Sequence, residues 1–425
     1  MSSQFKTISI IGLGYIGLPT AAVFASRKVK VIGVDVNQHA VDTINKGQIH
    51  IVEPDLDMLV HAAVTEGYLR ATTKPESADA FLIAVPTPLK EGPTGPQEPD
   101  MDCIEAAAKS IAPVLKKGDI VILESTSPVG ATEQMADWLA QARPDLTFPQ
   151  AHGEGSDIRV AHCPERVLPG KVLVELIQND RVIGGMTPKC SQTAASLYKT
   201  FVQGECVITN ARTAEMCKLT ENSFRDVNIA FANELSIICD KLNIDVWELV
   251  KLANRHPRVN ILQPGPGVGG HCIAVDPWFI VSAAPQEAQL VRVARLVNDK
   301  KPKWVLEKVK LALSEYLLTN KNKTPKDVTI ACYGLSFKSD IDDLRESPAV
   351  EIVKAISADH LGKVIIVEPN IKKLPLSLQH LTLVSLEQAA ESDLKIFLVD
   401  HMLFKNMIRP KGLFLDFKGI WNNKD

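Results

Sequence analysis

A chain of 425 residues is too long for a single hydrophobic core, so two or three domains are expected. With 45% hydrophobic and 23% charged residues it has the make-up of an ordinary globular protein, and a net charge of -3 offers no electrostatic footprint for nucleic acid or an anionic membrane. No apolar run approaches the ~20 residues that span a bilayer, and Met1 to Thr7 carry no signal-peptide pattern. The eight cysteines are scattered, without a CxxC pair or zinc spacing, which reads as reduced thiols in a cytoplasmic protein.

The first predicted elements are a β-branched strand, Thr7-Ile-Ser-Ile-Ile11, the turn Gly12-Leu-Gly14-Tyr15-Ile16-Gly17, and a helix beginning Leu18-Pro19. Strand, glycine turn and helix in that order give GxGxxG the context of a dinucleotide site. Val31-Ile-Gly-Val-Asp35 is a second buried strand that ends in an acid about 20 residues on. An acid there suits a ribose hydroxyl and repels a 2′-phosphate, so NAD is favoured over NADP. Two further strands, 80–85 and 120–126, run into Thr87 and Thr126, at the carboxyl ends where a ligand of an open parallel sheet lies. Lys90 to Pro99 reads as a polar surface loop. Cys163-Pro-Glu165-Arg166 follows another strand; Glu165 is a candidate general base, with an Arg/Glu surface pair as the plainer alternative.

From Ala211 to Asn243 there is neither glycine nor proline, and one long helix is predicted. Lys218, Asn222 and Arg225 share one face of it, while Phe231, Leu235 and Ile238 suggest a buried spine or a dimer interface. Asn254-Arg-His256-Pro-Arg258 offers an imidazole and cations to an anionic substrate. It leads into Pro264-Gly-Pro-Gly-Val-Gly-Gly-His271, with four glycines and two prolines in eight residues, and then Cys272. That composition excludes a regular helix or inner strand and predicts a stiff loop with little side-chain cover. Cys272 is either a buried thiol beside a surface turn or a nucleophile. A second helix, 286–318, contains Pro302 and is expected to kink or break there. Its Lys300, Lys301 and Lys303 read as a solvated face. After a polar linker, Val328 to Lys338 is again strand and glycine turn, followed by strands ending in Glu368 and Asp400, but without GxGxxG. The cations there, Lys338, Arg345 and Lys418, suit a pyrophosphate.

The predicted fold is α/β: two Rossmann-like domains, 1–205 and 319–425, joined by a central helical domain, 206–318. Taken together, Gly12 to Pro19, Glu124-Ser-Thr126, Cys163-Pro-Glu165-Arg166, Lys218-Leu-Thr-Glu-Asn222, the glycine loop, Gly334 to Lys338 and Asp343-Leu-Arg345-Glu-Ser347 give a chain that resembles the UDP-glucose/GDP-mannose dehydrogenase family along its whole length. Gly-Gly-His271-Cys272 and Val275-Asp276 look like the loop of the N-acetylhexosamine members, whereas UDP-glucose members typically have Gly-Gly-Ser-Cys and a Lys-Asp.

The resemblance implies NAD-dependent, four-electron oxidation of C6 of a UDP-sugar, UDP-N-acetyl-D-mannosamine, to the uronate used in enterobacterial common antigen. It implies a homodimer and no metal. NAD would be held by Gly12, Gly14, Tyr15, Ile16, Gly17, Asp35, Thr87 and Thr126. Cys272 would attack the intermediate aldehyde. A free thiol is only a few per cent ionised at neutral pH, and the Lys218 cation would raise that fraction. Asn222 would steady the oxyanion, and Glu165, Asp276 and Thr126 would position or activate water. Arg166, Val167, Lys218, Asn222, Arg225, His256, Arg258, Gly269, Phe337, Lys338, Arg345 and Lys418 match positions that line the UDP-sugar site. The same chemistry on UDP-glucose, UDP-N-acetylglucosamine or GDP-mannose, or a two-electron β-hydroxyacid dehydrogenase, are the alternatives.

Overall fold

A computed structural model describes residues 5–51, 53–90, 97–168, 170–270 and 272–422; His271 and residues 91–96 of the polar loop lie outside them. The chain divides into two compact units, one of residues up to Glu221 with Trp278–Pro285, the other of Asn222–Pro277 with everything from Gln286 onward.

In the first unit the βα alternation builds an eight-stranded sheet: β1 (Thr7–Ile11), β2 (Lys30–Val34), β3 (Leu69–Thr72), β4 (Ala80–Ile83), β5 (Ile120–Leu123), β6 (Arg159–His162), β7 (Arg181–Gly185) and β8 (Cys206–Asn210). The order is β3-β2-β1-β4-β5-β6-β7-β8, and only the β6–β7 pair is antiparallel. Helices cover both faces. Ile8 and Ile10 of β1 therefore enter one apolar cluster and Ile11 the other, which is why the inner strands read as unbroken apolar runs. Strand order reverses at β1, leaving a crevice outside the carboxyl ends of β1 and β4.

Two glycines make that crevice. Gly12 follows β1 at φ +92°, where a Cβ would stand 2.5 Å from the Ala84 carbonyl oxygen. Gly17 opens the helix Gly17–Ser26, and a Cβ there would lie 1.8 Å from the Gly12 oxygen. No side chain larger than hydrogen fits either place.

The second unit holds a parallel five-stranded sheet, β9 (Ile330–Tyr333), β10 (Val364–Val367), β11 (Thr382–Leu383), β12 (Leu394–Phe397) and β13 (Leu413–Asp416), in the order β11-β10-β9-β12-β13. Its β9 also alternates, Ile330 and Cys332 on one face, Ala331 and Tyr333 on the other. The turn after β9 repeats the one after β1. Gly334 has φ +92° and donates to the Val367 carbonyl at 2.8 Å, as Gly12 donates to that of Val34 at 2.8 Å. Two Rossmann-like sheets and a central helical region are thus present, as expected.

The long helices differ from expectation in three respects. The first runs Ala211–Lys241, close to its predicted ends, but Phe231 and Ile238 are exposed, and Ser223, Asp226, Asn233 and Ser236 are buried alongside Leu219, Ala230, Ala232 and Cys239. The buried-spine expectation therefore does not hold for Phe231 and Ile238 within the single chain. The second helix, Gln289–Thr319, continues through Pro302 without a break. The ring removes one helical hydrogen bond but packs against the glycine loop, its Cγ 3.2 Å from where a Cβ on Gly267 would be. Lys301, expected on a solvated face, is buried; its ammonium lies 3.7 Å from the centre of the Trp304 ring and donates to Ser236 Oγ. Burial lowers its pKa to about 7. Only its neighbours Lys300 and Lys303 face water.

Candidate active site

In the first unit, the glycine turn and the strand ends form a cradle. Asp35, half-buried after β2, accepts from the Leu13 N–H (2.9 Å) and the Asn37 N–H (2.9 Å), which fixes the carboxylate beside the turn. Tyr15 and Ile16 are half-buried in the last turn before the helix. Open space lies where a Gly14 Cβ would be, and the helix that follows has no side-chain cap and no acid in its first turn. An uncapped, positive helix end facing open space suits a pyrophosphate. Thr87 follows β4, and its hydroxyl is buried without a hydrogen-bond partner among the described residues. Thr126 is half-buried after β5, where Ser125 Oγ donates to the Val85 carbonyl at 2.7 Å and ties the two strand ends together. These residues fit a dinucleotide.

Glu165 is buried just beyond β6 and accepts from the Val167 N–H. Burial pushes its carboxyl above the usual range, and the charge of Lys218 draws it partly back. Lys218 is itself buried, on the inner side of the Ala211–Lys241 helix. Arg166 pairs with Glu221 at 2.7 Å, so the surface pair between Glu165 and its neighbour is not formed. Val167 is half-buried, and Glu53 accepts from the N–H groups of Gly170 (2.9 Å) and Val172 (2.8 Å) beyond it.

A buried cluster in this unit was not anticipated. The Tyr198 hydroxyl donates to Glu124 Oε1 at 2.6 Å, and the Arg181 guanidinium lies 5.1 Å from the Tyr198 ring centre. Burial raises the Glu124 carboxyl and lifts the Cys163 thiol to about 12, so Cys163 stays a thiol. The one available signal was an arginine opening an otherwise apolar strand, β7.

In the second unit the glycine loop is held from several sides. Its Gly265 N–H donates to Asn233 Oδ1 (2.9 Å), and its Gly270 N–H to the Arg345 carbonyl (3.2 Å). A Cβ on Gly269 would strike the Glu346 carbonyl oxygen at 2.4 Å; one on Gly270, where φ is +85°, would meet the Phe337 ring at 2.9 Å. Lys418 Nζ reaches to 3.6 Å from a Gly265 Cβ position. The loop thus brings together Gly269, Phe337, Arg345 and Lys418, four of the residues expected at the sugar nucleotide. Lys338 is exposed one residue beyond Phe337. The Arg345 guanidinium forks onto Asp343 at 2.6 to 3.0 Å. Lys418 faces Asp400 at 3.3 Å; although burial opposes it, Lys418, Lys405 and Ser339 hold that carboxyl at about 2.

Cys272 is exposed, and its carbonyl accepts from the Val275 N–H (3.1 Å) and the Asp276 N–H (2.8 Å), forming a turn that runs into the helix Asp276–Ala283. The buried Asp276 accepts from Asn222 Nδ2 at 2.5 Å. Asn222, Asp276 and the Cys272 backbone are thereby gathered at one place. Arg225 is exposed on its helix. His256 and Arg258 lie on an exposed segment whose base Asn254 staples with two bonds to Ile261, at 2.7 and 2.9 Å. No sequence motif signalled that asparagine.

The second sheet treats its strand-end acid differently from the first. Glu368 is buried, accepts from the Leu335 N–H (2.7 Å), and is closed over by His401 Nε2 at 3.1 Å. It has no opening for a ribose, in keeping with the missing GxGxxG.

Residues 6–202, 212–300 and 331–423 match, in turn, the NAD-binding, central and UDP-binding domains of the UDP-glucose/GDP-mannose dehydrogenase family. The chain belongs to that family. It is an NAD-dependent nucleotide-sugar dehydrogenase. It is 67% identical to a UDP-N-acetyl-D-mannosamine dehydrogenase of Yersinia pestis, over 98% of this chain and all of that one. It is 64% identical to an NDP-N-acetyl-D-galactosaminuronic acid dehydrogenase of Ralstonia nicotianae, over 99% of this chain and 97% of that one. Among solved structures, a UDP-D-ManNAc dehydrogenase of Pyrococcus horikoshii superposes with a TM-score of 0.85 at 38% identity, over 97% of this chain and 96% of that one. Among the described residues, no helix is long and apolar enough to cross a membrane.

Proposed function

We propose that the chain oxidises C6 of UDP-N-acetyl-D-mannosamine through the aldehyde to the uronate, in the cytoplasm, for enterobacterial common antigen. The observation that carries this reading is the exposed Cys272 at the end of a rigid glycine loop, one turn from the Asn222–Asp276 pair. Identity of 67% to a UDP-N-acetyl-D-mannosamine dehydrogenase supports the sugar. In functional terms we divide the chain into an NAD-binding part (1–205), a central part bearing the thiol (206–318) and a UDP-sugar part (319–425).

NAD supplies the hydride acceptor for both oxidations. The Cys272 thiolate adds to C6 of the aldehyde, its C–S bond forming as the carbonyl electron pair moves to oxygen. Asn222 donates to that oxyanion and the Lys218 cation stabilises it. Oxidation of this adduct leaves a thioester. Glu165, its carboxyl held above the usual range by burial, takes a proton from water as that water attacks, with Thr126 and Asp276 positioning it; the C–S bond then breaks and the thiolate leaves. One alcohol, two NAD+ and one water give one carboxylate, two NADH and three protons. Gly12, Gly14, Tyr15, Ile16, Gly17, Asp35 and Thr87 would hold the cofactor. Arg166, Val167, Arg225, His256, Arg258, Gly269, Phe337, Lys338, Arg345 and Lys418 would hold the UDP-sugar.

Purified protein given UDP-N-acetyl-D-mannosamine is expected to yield two NADH per sugar. A yield of one, with aldehyde accumulating, would refute the covalent scheme. Because the Ralstonia relative is named for an N-acetylgalactosaminuronic acid, UDP-N-acetylgalactosamine belongs in the same panel as UDP-glucose, UDP-N-acetylglucosamine and GDP-mannose. A faster kcat/KM on any of these reassigns the sugar without touching the chemistry.

The chain is also proposed to act as a homodimer. Phe224, Phe231 and Ile238 recur every seven residues on one long helix, all exposed in the single chain. Light scattering should read twice the mass of 46.5 kDa, and Phe231→Glu should shift it toward one chain. A single-chain mass for the unaltered protein would end this proposal.

A further inference from the structure

Four polar side chains of the second unit, Asp226 and Asn233 on the 211–241 helix, Arg295 and Asn298 on the 289–319 helix, are 0 to 1% exposed. They form one connected network. Arg295 Nη1 donates to Asp226 Oδ1 at 2.5 Å; Asn298 Nδ2 donates to the same oxygen at 2.8 Å; Asn233 Nδ2 donates to Asn298 Oδ1 at 2.9 Å. The network has two outlets to the glycine loop. Asn233 Oδ1 accepts from the Gly265 N–H at 2.9 Å, and Arg295 Nη1 donates to the Ile273 carbonyl at 3.3 Å. Gly265 begins the loop and Ile273 follows Cys272 directly. Both ends of the segment that carries the thiol are therefore tied to the same four side chains.

Stability alone does not account for this arrangement. Desolvating a buried ion pair costs several kcal/mol, and well-packed apolar residues of the same volume commonly do as well or better. What buried polar groups add is geometry, because a hydrogen bond has a length and a direction that an apolar contact lacks. Glycines leave the loop backbone with more freedom than any other residue, so an external clamp is what would hold it to a single position.

We infer that Asp226, Asn233, Arg295 and Asn298 are positioning residues for Cys272, a clamp that sets where the sulfur stands when it attacks the aldehyde. This rests on Cys272 being the nucleophile. The four side chains touch neither sugar nor cofactor in this role. They act through the loop backbone. A misplacement of about 1 Å at a reacting atom can lower a rate by about 10²-fold, while binding of distant parts of the substrate is unaffected.

The test uses full-length Asn233→Ala, which cuts the tie at Gly265, and Arg295→Lys, which replaces a rigid fork by one flexible head at Ile273. Alkylation by iodoacetamide is followed at Cys272 by mass spectrometry, with the exposed Cys103 as internal reference. The expected result is at least a five-fold change in the Cys272 rate with Cys103 unchanged. With UDP-N-acetyl-D-mannosamine, kcat should fall about ten-fold or more with KM within about two-fold, and NADH per sugar should drop below two as aldehyde escapes. If Asn233→Ala does not fold, Asn233→Ser keeps the position polar while falling short of Gly265. Wild-type alkylation rates and two NADH per sugar in folded variants would overturn the clamp. That outcome is separable from failure of the nucleophile itself, which would show as continued uronate formation by Cys272→Ser.

Discussion

Replacing Cys272 by serine is expected to lower uronate formation by about 10³-fold or more, because a hydroxyl at neutral pH is almost never the anion that a thiol becomes. The substitution removes one atom's worth of nucleophilicity from an exposed position at a loop end, so folding and ligand binding should survive. Calorimetry should find NAD and the UDP-sugar bound within about two-fold of the native affinities, which places the loss in the chemical steps. Aldehyde formed in the first oxidation has no tether in this variant. It should appear free in solution and be trapped by an added amine. Continued release of two NADH per sugar would show that sulfur is not needed and would refute the thioester route.

Glu165→Gln has a different signature. A glutamine keeps the size of the side chain and its acceptor oxygen for the Val167 N–H but cannot take a proton from water. If Glu165 is the base for thioester hydrolysis, both oxidations still run on the first turnover and the acyl-enzyme then waits. Rapid mixing should show a burst of two NADH per chain, followed by a steady rate about 10²- to 10⁴-fold below native. The native enzyme should show a matching pH profile. Burial raises the Glu165 carboxyl above its ordinary value, Lys218 only partly offsetting this, so kcat should rise as pH passes through that raised value and the base loses its proton. A variant with no burst and a native pH limb would assign the base elsewhere.

The parts of this molecule that were legible in the sequence are those whose physics is local. Gly12 and Gly17 could be read because strand, turn and helix follow one another without interruption, and the structure leaves no room for a Cβ at either. Cys272 could be read because four glycines and two prolines cannot hide in an element. What was not legible depends on which side of a helix meets another part of the chain. Lys301 looks like any lysine in a basic run, and only the Trp304 ring and Ser236, 65 residues away, make it a buried group. Phe231 and Ile238 looked like core and are exposed in the single chain, whereas Asp226, Asn233 and Asn298, polar residues, are buried. Glu124, just beyond β5, belongs to the same class: it acquires meaning from Tyr198 and Arg181, distant in sequence.

The two strand-end carboxylates, Asp35 and Glu368, stand at equivalent corners of the two sheets, each accepting from the backbone of its own glycine turn. One remains half open to solvent, and the other is stoppered by a histidine ring. The difference bears on traffic. A reaction that consumes two molecules of the same soluble oxidant per sugar needs one berth that empties and refills between halves of the cycle. In the proposed reaction that berth is the one rimmed by Asp35, which is half open to solvent. The stoppered corner has no such duty, and its carboxylate is spent instead on bracing the turn that carries Phe337 and Lys338.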